Sequence, residues 1–285
     1  VAGVAWFLWQ KNNEVKTSVR TYRIGLLYSG GSFEQVAEGF RQGMSAILVG
    51  SSDKKNEYIL KKVTGTEQND FDIAAQQLAD ESVDLIFAVA VEPIVAAKKA
   101  TVVNQIPVVL ALGGNPASIG LVESIQKPGG NLTGMTWLAW ELSGKRLGFL
   151  TKIDPLIKRV VIFGKKGSKP MQFSLESMYP VAKKLGITLV IKEVADFKDL
   201  EKEVGLISRK NADAIYYAPD PFISRNFKFI INHSLEQKIP TIFADEYFTH
   251  EGALASYGGN FQSSGRQAAR IAAKILFEGR TPQDL

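Results

Sequence analysis

The chain contains no cysteine and only two histidines, His233 and His250, among its 285 residues. Without cysteine there can be no disulfide bond, no thiolate metal site and no cysteine nucleophile. Two histidines leave too little material for a histidine-based metal cluster. We therefore expect no metal ion and no cofactor, although the lack of cysteine does not decide between the cytoplasm and an oxidising compartment.

The sequence also lacks the short motifs that mark common α/β enzymes. No serine has one glycine two residues before it and another two residues after it, so the nucleophile turn of the α/β-hydrolases is missing. Residues 164–169 contain two glycines and three lysines, but they lack the Gly-Lys-Ser/Thr ending of a phosphate-binding loop. No Gly-x-Gly-x-x-Gly pattern follows the first predicted strand of either half. These absences predict a protein that is not an enzyme.

The positive charge of the chain does not form the pattern of a nucleic-acid-binding protein. The formal net charge is +5, but the lysines are scattered in pairs such as Lys54-Lys55 and Lys183-Lys184. There is no arginine-rich stripe with interleaved aromatic residues. We expect these lysines to lie on solvated helix faces and strand ends, and we expect no nucleic-acid partner.

The first nine residues form an unbroken apolar run that ends in Trp9 and is followed by the polar residues 10–13. Tryptophan is common at the membrane interface, but nine helical residues span only about 14 Å, against about 30 Å of hydrocarbon. We interpret residues 1–20 as the remnant of a membrane anchor or signal segment, without a lipoprotein cysteine. This interpretation predicts a periplasmic or extracellular location, with anchoring to the inner membrane left open. A disordered or docked tail is the alternative.

Apolar runs rich in β-branched residues alternate with helical patterns along the rest of the chain. They lie at 24–28, 58–63, 85–89 and 108–112, and then again at 160–163, 187–194, 214–217 and 241–243. Such alternation is typical of βαβ units with parallel strands. We predict an α/β fold with two Rossmann-like lobes, each built on a parallel sheet.

The lobe boundaries follow from the last helical pattern, at 265–277, which has no partner strand after it. We expect this helix to return to the first lobe. Lobe 1 is then predicted to comprise 21–136 and 256–280, and lobe 2 to comprise 137–255. The hinge between the lobes would run through several chain crossings.

Polar, aromatic and glycine residues recur at the predicted carboxyl ends of the strands, where open parallel sheets bind ligands. The candidates for ligand binding are Ser29, Gly31, Phe33, Glu92, Asn115, Trp137, Ser168, Phe173, Asp220, Asp245 and Tyr247. Aromatic side chains there would stack on a flat or apolar solute, and the two aspartates would accept hydrogen bonds from an amine or a hydroxyl group. We predict no catalytic residue and no metal ligand.

Several of these candidates also fit a purely structural role. Phe33 and Phe173 fit core positions on a helix face, and Tyr247 fits a loop anchor. The two aspartates fit helix N-caps. Trp137 and Trp140, beside the first predicted crossing, fit hinge packing. The residues alone leave these alternatives open.

Several short motifs, in their order and spacing, resemble a known family. They are Asn115-Pro116, Gly120-Leu121-Val122, 127–134 (Lys-Pro-Gly-Gly-Asn-Leu-Thr-Gly), 212–216 (Ala-Asp-Ala-Ile-Tyr), Ile239-Pro240, 252–255 (Gly-Ala-Leu-Ala) and 265–269 (Gly-Arg-Gln-Ala-Ala). From about residue 22 to its end the chain is similar to the ABC transporter substrate-binding proteins related to tryptophan- and tyrosine-uptake proteins, of the type 1 periplasmic-binding-protein fold. The resemblance implies a cleft receptor that delivers a small solute to a membrane permease without chemistry. By position, Asp220 matches the family's acidic ligand-loop residue, and Asp245 matches the aspartate before its Gly-Ala strand.

The sequence departs from this family at the presumed site. Lys169-Pro170-Met171 stands where an Asn-Ser pair is common, and Asp220-Pro221 stands where Asp-Asn is common. The expected ligand is therefore an amino-acid-like or another small polar or aromatic solute. We expect a monomer, and also a chain that is incomplete after Leu285. A membrane-anchored ligand-sensing ectodomain, or a two-lobed α/β enzyme such as a glycosyltransferase, is the competing interpretation.

Overall fold

The structure is a computed structural model that describes residues 19–65, 67–136 and 139–285. Almost all of the predicted remnant at 1–20 lies outside the described residues, and so does Trp137. The strands of the first half are β1 (Arg20–Ser29), β2 (Lys54–Val63), β3 (Leu85–Val89), β4 (Val108–Ala111) and β5 (Leu132–Met135). Its helices are α1 (Glu34–Ile47), α2 (Gln68–Asp80) and α3 (Val91–Ala100), with a 3₁₀ turn at Gly31–Phe33.

The first sheet has the strand order β2-β1-β3-β4-β5, and every pair in it is parallel. β3 and β4 are buried along their whole length, as expected for strands covered by helices on both faces. β5, which pairs Leu132 with Val108, is not among the strands predicted from the sequence. Its sequence Leu-Thr-Gly-Met has only one β-branched residue and follows two glycines, so no strand pattern is visible before the pairing is known.

The second half repeats this plan. Its strands are β6 (Arg159–Lys165), β7 (Thr188–Val194), β8 (Ala214–Tyr217), β9 (Thr241–Phe243) and β10 (Ala255–Ser256). Its helices are α4 (Ser143–Ile153), α5 (Lys169–Leu185), α6 (Phe197–Gly205), α7 (Pro221–Glu236), α8 (Tyr247–His250) and α9 (Phe261–Glu278). The sheet order is β10-β9-β8-β6-β7, again with parallel pairs. The predicted α/β class with two parallel sheets is confirmed.

The same aspartate contact begins the central strands of both sheets. Just before β3, Asp84 Oδ2 accepts a hydrogen bond of 2.7 Å from the backbone N–H of Arg23 in β1. Just before β8, Asp213 Oδ2 accepts a hydrogen bond of 2.7 Å from the backbone N–H of Arg159 in β6. Each carboxylate therefore joins the start of one strand to the adjacent strand, away from the carboxyl ends of the sheet.

The C-terminal helix α9 packs closely along α1 of the first half. Two glycines allow the two backbones to approach, because a Cβ on Gly265 would lie 2.0 Å from the carbonyl oxygen of Val36, and one on Gly39 would lie 2.1 Å from that of Gln262. The numerical lobe boundaries stay a prediction. α9 is 18 residues long, and no helix in the described ranges is long and apolar enough to cross a membrane.

Arg146 on α4 joins the chain segment that follows β5 to the one that follows β10. Its side chain is fully buried. Nε donates a hydrogen bond of 2.7 Å to the carbonyl oxygen of Tyr257, which follows β10, and Nη2 donates one of 3.4 Å to that of Ala139, which follows β5. Nη1 donates to the hydroxyl of Tyr216 at 2.8 Å. One buried guanidinium therefore holds both segments against the second sheet.

Candidate functional site

A cavity of about 370 Å³ lies between the two halves, at the carboxyl ends of both sheets. The first half contributes the start of α3, residues 113–115, Ser118 and Ile119. The second half contributes Trp140, residues 165–170, Phe173 and the first turns of α7. The volume is within the range of about 300–1,000 Å³ that is usual for small-molecule sites, which also favour a cleft between structural units.

Five of the residues predicted from the sequence line this cavity. They are Glu92, Asn115, Ser168, Phe173 and Asp220. Phe33 lines a smaller adjoining space of about 60 Å³, which shares Trp140 and Asp220 with the main cavity. Residues selected because they follow strands therefore lie in one cavity, although some of them are more than a hundred residues apart in the chain.

Two predicted residues of the first half lie beside the cavity. Ser29 is fully buried at the end of β1, and its hydroxyl has no hydrogen-bond partner. Gly31 has a φ of +75° and faces α7, since a Cβ there would lie 3.2 Å from the carbonyl oxygen of Ser224 and 3.4 Å from Cα of Arg225. The β1–α1 loop thus needs glycine at this position to let the two halves touch.

Asp245 and Tyr247 do not line either of these two cavities, as far as the described ranges show. Asp245 accepts hydrogen bonds from the backbone N–H groups of Tyr247 and Phe261 and so joins the end of β9 to the start of α9. Burial raises the pKa of its carboxyl above the ordinary value. The ring of Tyr247 packs edge-on against Phe227 with centroids 5.6 Å apart, and burial, followed by a hydrogen bond with Glu251, raises its pKa to about 12.

Asp220 lies in the cavity wall but uses its carboxylate within the protein. Oδ1 accepts a hydrogen bond of 3.0 Å from the backbone N–H of Ile223, which makes Asp220 the N-cap of α7. Oδ2 accepts one of 3.3 Å from the backbone N–H of Lys165, at the end of β6. The residue is only 2% exposed. These contacts match the capping alternative, and they hold the start of α7 against the end of β6.

Helix starts and strained backbone face the same space. The first turns of α3, α5 and α7 all contribute to the cavity wall, and the N-terminus of a helix favours a negatively charged group. Ala90, just before α3, has a φ of +76°, and Leu112, just after β4, has a φ of +57°. Both line the smaller space. Positive φ in residues other than glycine costs energy and is concentrated at functional sites.

The sequence interpretation missed Arg225 and did not select Trp140. Trp140 lines the cavity, and its ring centroid lies 5.5 Å from that of Phe173. Arg225 also lines the cavity, from the second turn of α7 and therefore away from any strand end. A usable signal for Arg225 was its spacing, because it follows Pro221 by four residues and so shares a helix face with the first turn.

The residues of the cavity carry an excess of positive charge. Its cations are Lys165, Lys166, Lys169 and Arg225, and its carboxylates are Glu92 and Asp220. Both carboxylate oxygens of Asp220 accept backbone hydrogen bonds, whereas Oε2 of Glu92 is buried without a partner. The arrangement offers binding groups for a polar solute. In the described part of the chain no group of three or more His, Cys, Asp or Glu residues could hold a metal ion.

Comparison with known proteins identifies the family. The model of the ABC transporter substrate binding protein family matches residues 24–285. The chain belongs to this family. It is also 27% identical over 214 residues to a tyrosine-binding protein of Clostridioides difficile (strain R20291), a match that covers 75% of this chain and 60% of that protein. The match therefore spans less than two thirds of this relative.

Solved structures of similar fold come from several bacteria. The ABC domain from Streptococcus pneumoniae in complex with L-Trp has a TM-score of 0.78 and 20% identity, over 93% of this chain and 88% of that one. A conserved domain protein from Vibrio cholerae has a TM-score of 0.78 and 23% identity, with the same coverage. A solute-binding protein from R. palustris in complex with 4-hydroxybenzoate has a TM-score of 0.63 and 12% identity, over 93% and 83%. At these identities the likeness shows the fold, and it confirms the predicted type 1 periplasmic-binding-protein architecture.

Proposed function

We propose that this chain is the extracytoplasmic solute-binding component of an ABC importer, which closes two lobes on a small solute and performs no chemistry. The observation that carries the proposal is the cavity of about 370 Å³ between the carboxyl ends of the two parallel sheets. Both halves contribute to its wall, so that a solute bound there would contact both lobes at once. Membership of the substrate-binding family supports the same role.

The proposed solute is amino-acid-like or another small polar or aromatic molecule. Trp140, Phe173 and Phe222 provide apolar surface in the cavity wall. The names of the relatives, a tyrosine-binding protein and a domain solved with L-Trp, support a ligand of this kind. Of the residues selected from the sequence, we propose Glu92, Asn115, Ser168 and Phe173 as solute contacts.

The partner in this proposal is a membrane permease, to which a monomeric receptor delivers its solute. Lobe 1 comprises 21–136 and 256–280, and lobe 2 comprises 137–255. Arg146 lies where the chain passes between them, bonded to residues of both crossing segments. A hinge that contains few connecting segments is consistent with lobe closure around a ligand.

A thermal-shift screen against amino acids, aromatic acids, purines, sugars and small peptides tests the proposal. A ligand at 100 times its Kd adds about 2.7 kcal/mol of apparent stability, because it binds only the folded state. We expect at least one solute of the proposed class to raise the unfolding temperature in a concentration-dependent way. The matched control is Trp140→Ala with Phe173→Ala, which removes the paired rings from the cavity. A folded protein with no response across the whole library contradicts the proposal.

A further inference from the structure

Two half-buried charged side chains in the cavity wall, Arg225 and Glu92, have buried polar atoms without partners. Nε and Nη1 of Arg225 are buried without a hydrogen bond, and so is Oε2 of Glu92. Neither side chain forms an ion pair within the part of the chain that the structure describes. An unsatisfied buried donor or acceptor is destabilising, and more so when it is charged. Each such group in a native protein needs an explanation, and a bound molecule that supplies the missing hydrogen bond is one.

The two groups come from opposite halves of the protein. Glu92 lies in the first turn of α3, beside the first sheet, and Arg225 lies in the second turn of α7, beside the second. Both side chains line the same cavity, and no ion pair within 4.0 Å joins them in the described part of the chain. A molecule with an anionic group at one place and a cationic donor at another satisfies both, and charge-assisted hydrogen bonds are the stronger ones.

The surroundings of Arg225 favour an anion. Lys165, Lys166 and Lys169 line the same cavity, and the starts of α5 and α7 contribute to the same wall. Helix N-termini and cations both stabilise a carboxylate, and a guanidinium can bind one through two parallel hydrogen bonds. Glu92, in contrast, has an oxygen that is free to accept a hydrogen bond from an ammonium group.

We propose that Arg225 and Glu92 determine the specificity of the site, by binding the α-carboxylate and the α-ammonium group of an amino acid whose side chain lies against Trp140 and Phe173. This inference rests on the proposed function and names the two groups of the solute that the site recognises. The α-carboxylate and the α-ammonium group, here called the two poles of the solute, are bound by different lobes. An amino acid therefore holds the lobes together, whereas a molecule with only one of these charged groups forms a charged contact with only one lobe.

The test uses three matched series of probes with isothermal titration calorimetry. Each series contains an amino acid (L-tryptophan, L-tyrosine or L-phenylalanine), its deaminated 3-arylpropionate and its decarboxylated arylethylamine. We expect at least one amino acid to bind, and both analogues in its series to bind about 10- to 100-fold more weakly, as is typical for the loss of a hydrogen bond to a charged group.

Two variants assign the poles. Arg225→Met should weaken binding of the amino acid about 10- to 100-fold, so that it binds no more tightly than the arylethylamine. Glu92→Gln should make the amino acid bind no more tightly than the 3-arylpropionate. Arg225→Lys should recover part of the affinity. The exposed Arg209→Met is the charge-matched control and should bind as the unchanged protein does. Without ligand, Arg225→Met should unfold at the same or a higher temperature, because the guanidinium has no hydrogen bond or ion pair to lose in the described part of the chain.

The outcomes separate this inference from the proposed function. If Arg225→Met binds the amino acid as tightly as the unchanged protein does, the pole assignment is wrong and the receptor role stands. If all nine probes fail but another solute from the thermal-shift library binds, the solute class is wrong and the receptor role again stands. If neither the library nor the nine probes give a response, both proposals fall.

Discussion

Asp220→Ala tests whether the Asp220 carboxylate stabilises the start of α7 in the cavity wall or binds the solute directly. The substitution removes the acceptor of the Ile223 N–H, at 3.0 Å, and of the Lys165 N–H, at 3.3 Å. Loss of an N-cap lowers the free energy of unfolding by about 1 kcal/mol, and the second, longer hydrogen bond adds less than that. We therefore expect a loss of about 1–2 kcal/mol in the absence of any ligand.

Urea denaturation of the ligand-free protein measures this loss. Asp220→Asn is the matched variant, because asparagine is also a good N-cap but its amide nitrogen cannot accept from Lys165. Its stability should lie between that of the unchanged protein and that of Asp220→Ala. If Asp220→Ala is as stable as the unchanged protein, the two hydrogen bonds are not formed in solution and the capping assignment is wrong.

The affinity of the same variants separates the two roles. From the sequence alone, an aspartate that accepts a charged donor from the solute is worth on the order of 2 kcal/mol of binding free energy. In the structure both oxygens already accept backbone hydrogen bonds, and the side chain is 2% exposed. We therefore expect Asp220→Asn to weaken solute binding less than Arg225→Met does. An equal or larger loss for Asp220→Asn would show direct contact between this residue and the solute.

Two further substitutions test the scaffold. The guanidinium of Arg159, with help from backbone N–H groups, lowers the pKa of Asp213 from 3.8 to about 2. A carboxyl whose pKa is lower in the folded than in the unfolded state stabilises the fold at pH values above its unfolded-state pKa. Asp213→Asn should therefore lower the free energy of unfolding by about 1 kcal/mol at pH 7, and this difference should disappear as the pH falls from 4 to 2. Arg146→Met leaves the hydrogen-bond acceptors at Tyr257, Ala139 and Tyr216 without their donors, and should lose about 3 kcal/mol.

Both scaffold predictions are measured by chemical denaturation. For Asp213 the control is Glu201→Gln on the exposed surface of α6, which changes the net charge equally. A difference between Asp213→Asn and the unchanged protein that stays constant from pH 5 to pH 2 contradicts the assigned pKa. For Arg146 the control is Arg209→Met, and equal stability of the two variants would mean that the guanidinium does not hold the crossing segments.

The fold could be predicted from the sequence because its signals are local. Buried parallel strands read as continuous apolar runs, such as 85–89 and 214–217, and amphipathic helices between them are visible within a few turns. The strand β5 could not be predicted from the sequence, because its four residues form a strand only through pairing with β4. Strand pairing is a long-range property, and the pattern of a short glycine-containing segment does not contain it.

The candidate site was predictable to the level of strand ends and no further. Asp220 and Asp245 look equivalent in the sequence, since each follows a buried strand and precedes a helix. In the structure only Asp220 lines the cavity, whereas Asp245 lies between β9 and α9. Arg225 has no strand-end signal, because a helix and not a loop carries it to the cavity.

The sequence by itself determined the class of this protein: two successive parallel α/β arrays, no thiol chemistry, and polar residues at the carboxyl ends of strands. These properties depend on residue type and on periods of two to four residues, which every segment carries alone. Only the tertiary structure decided which strand ends face each other and which charged groups remain without partners. That decision depends on how the two halves pack and on the rotation of helices such as α7, and both arise from contacts between residues that are far apart in the chain.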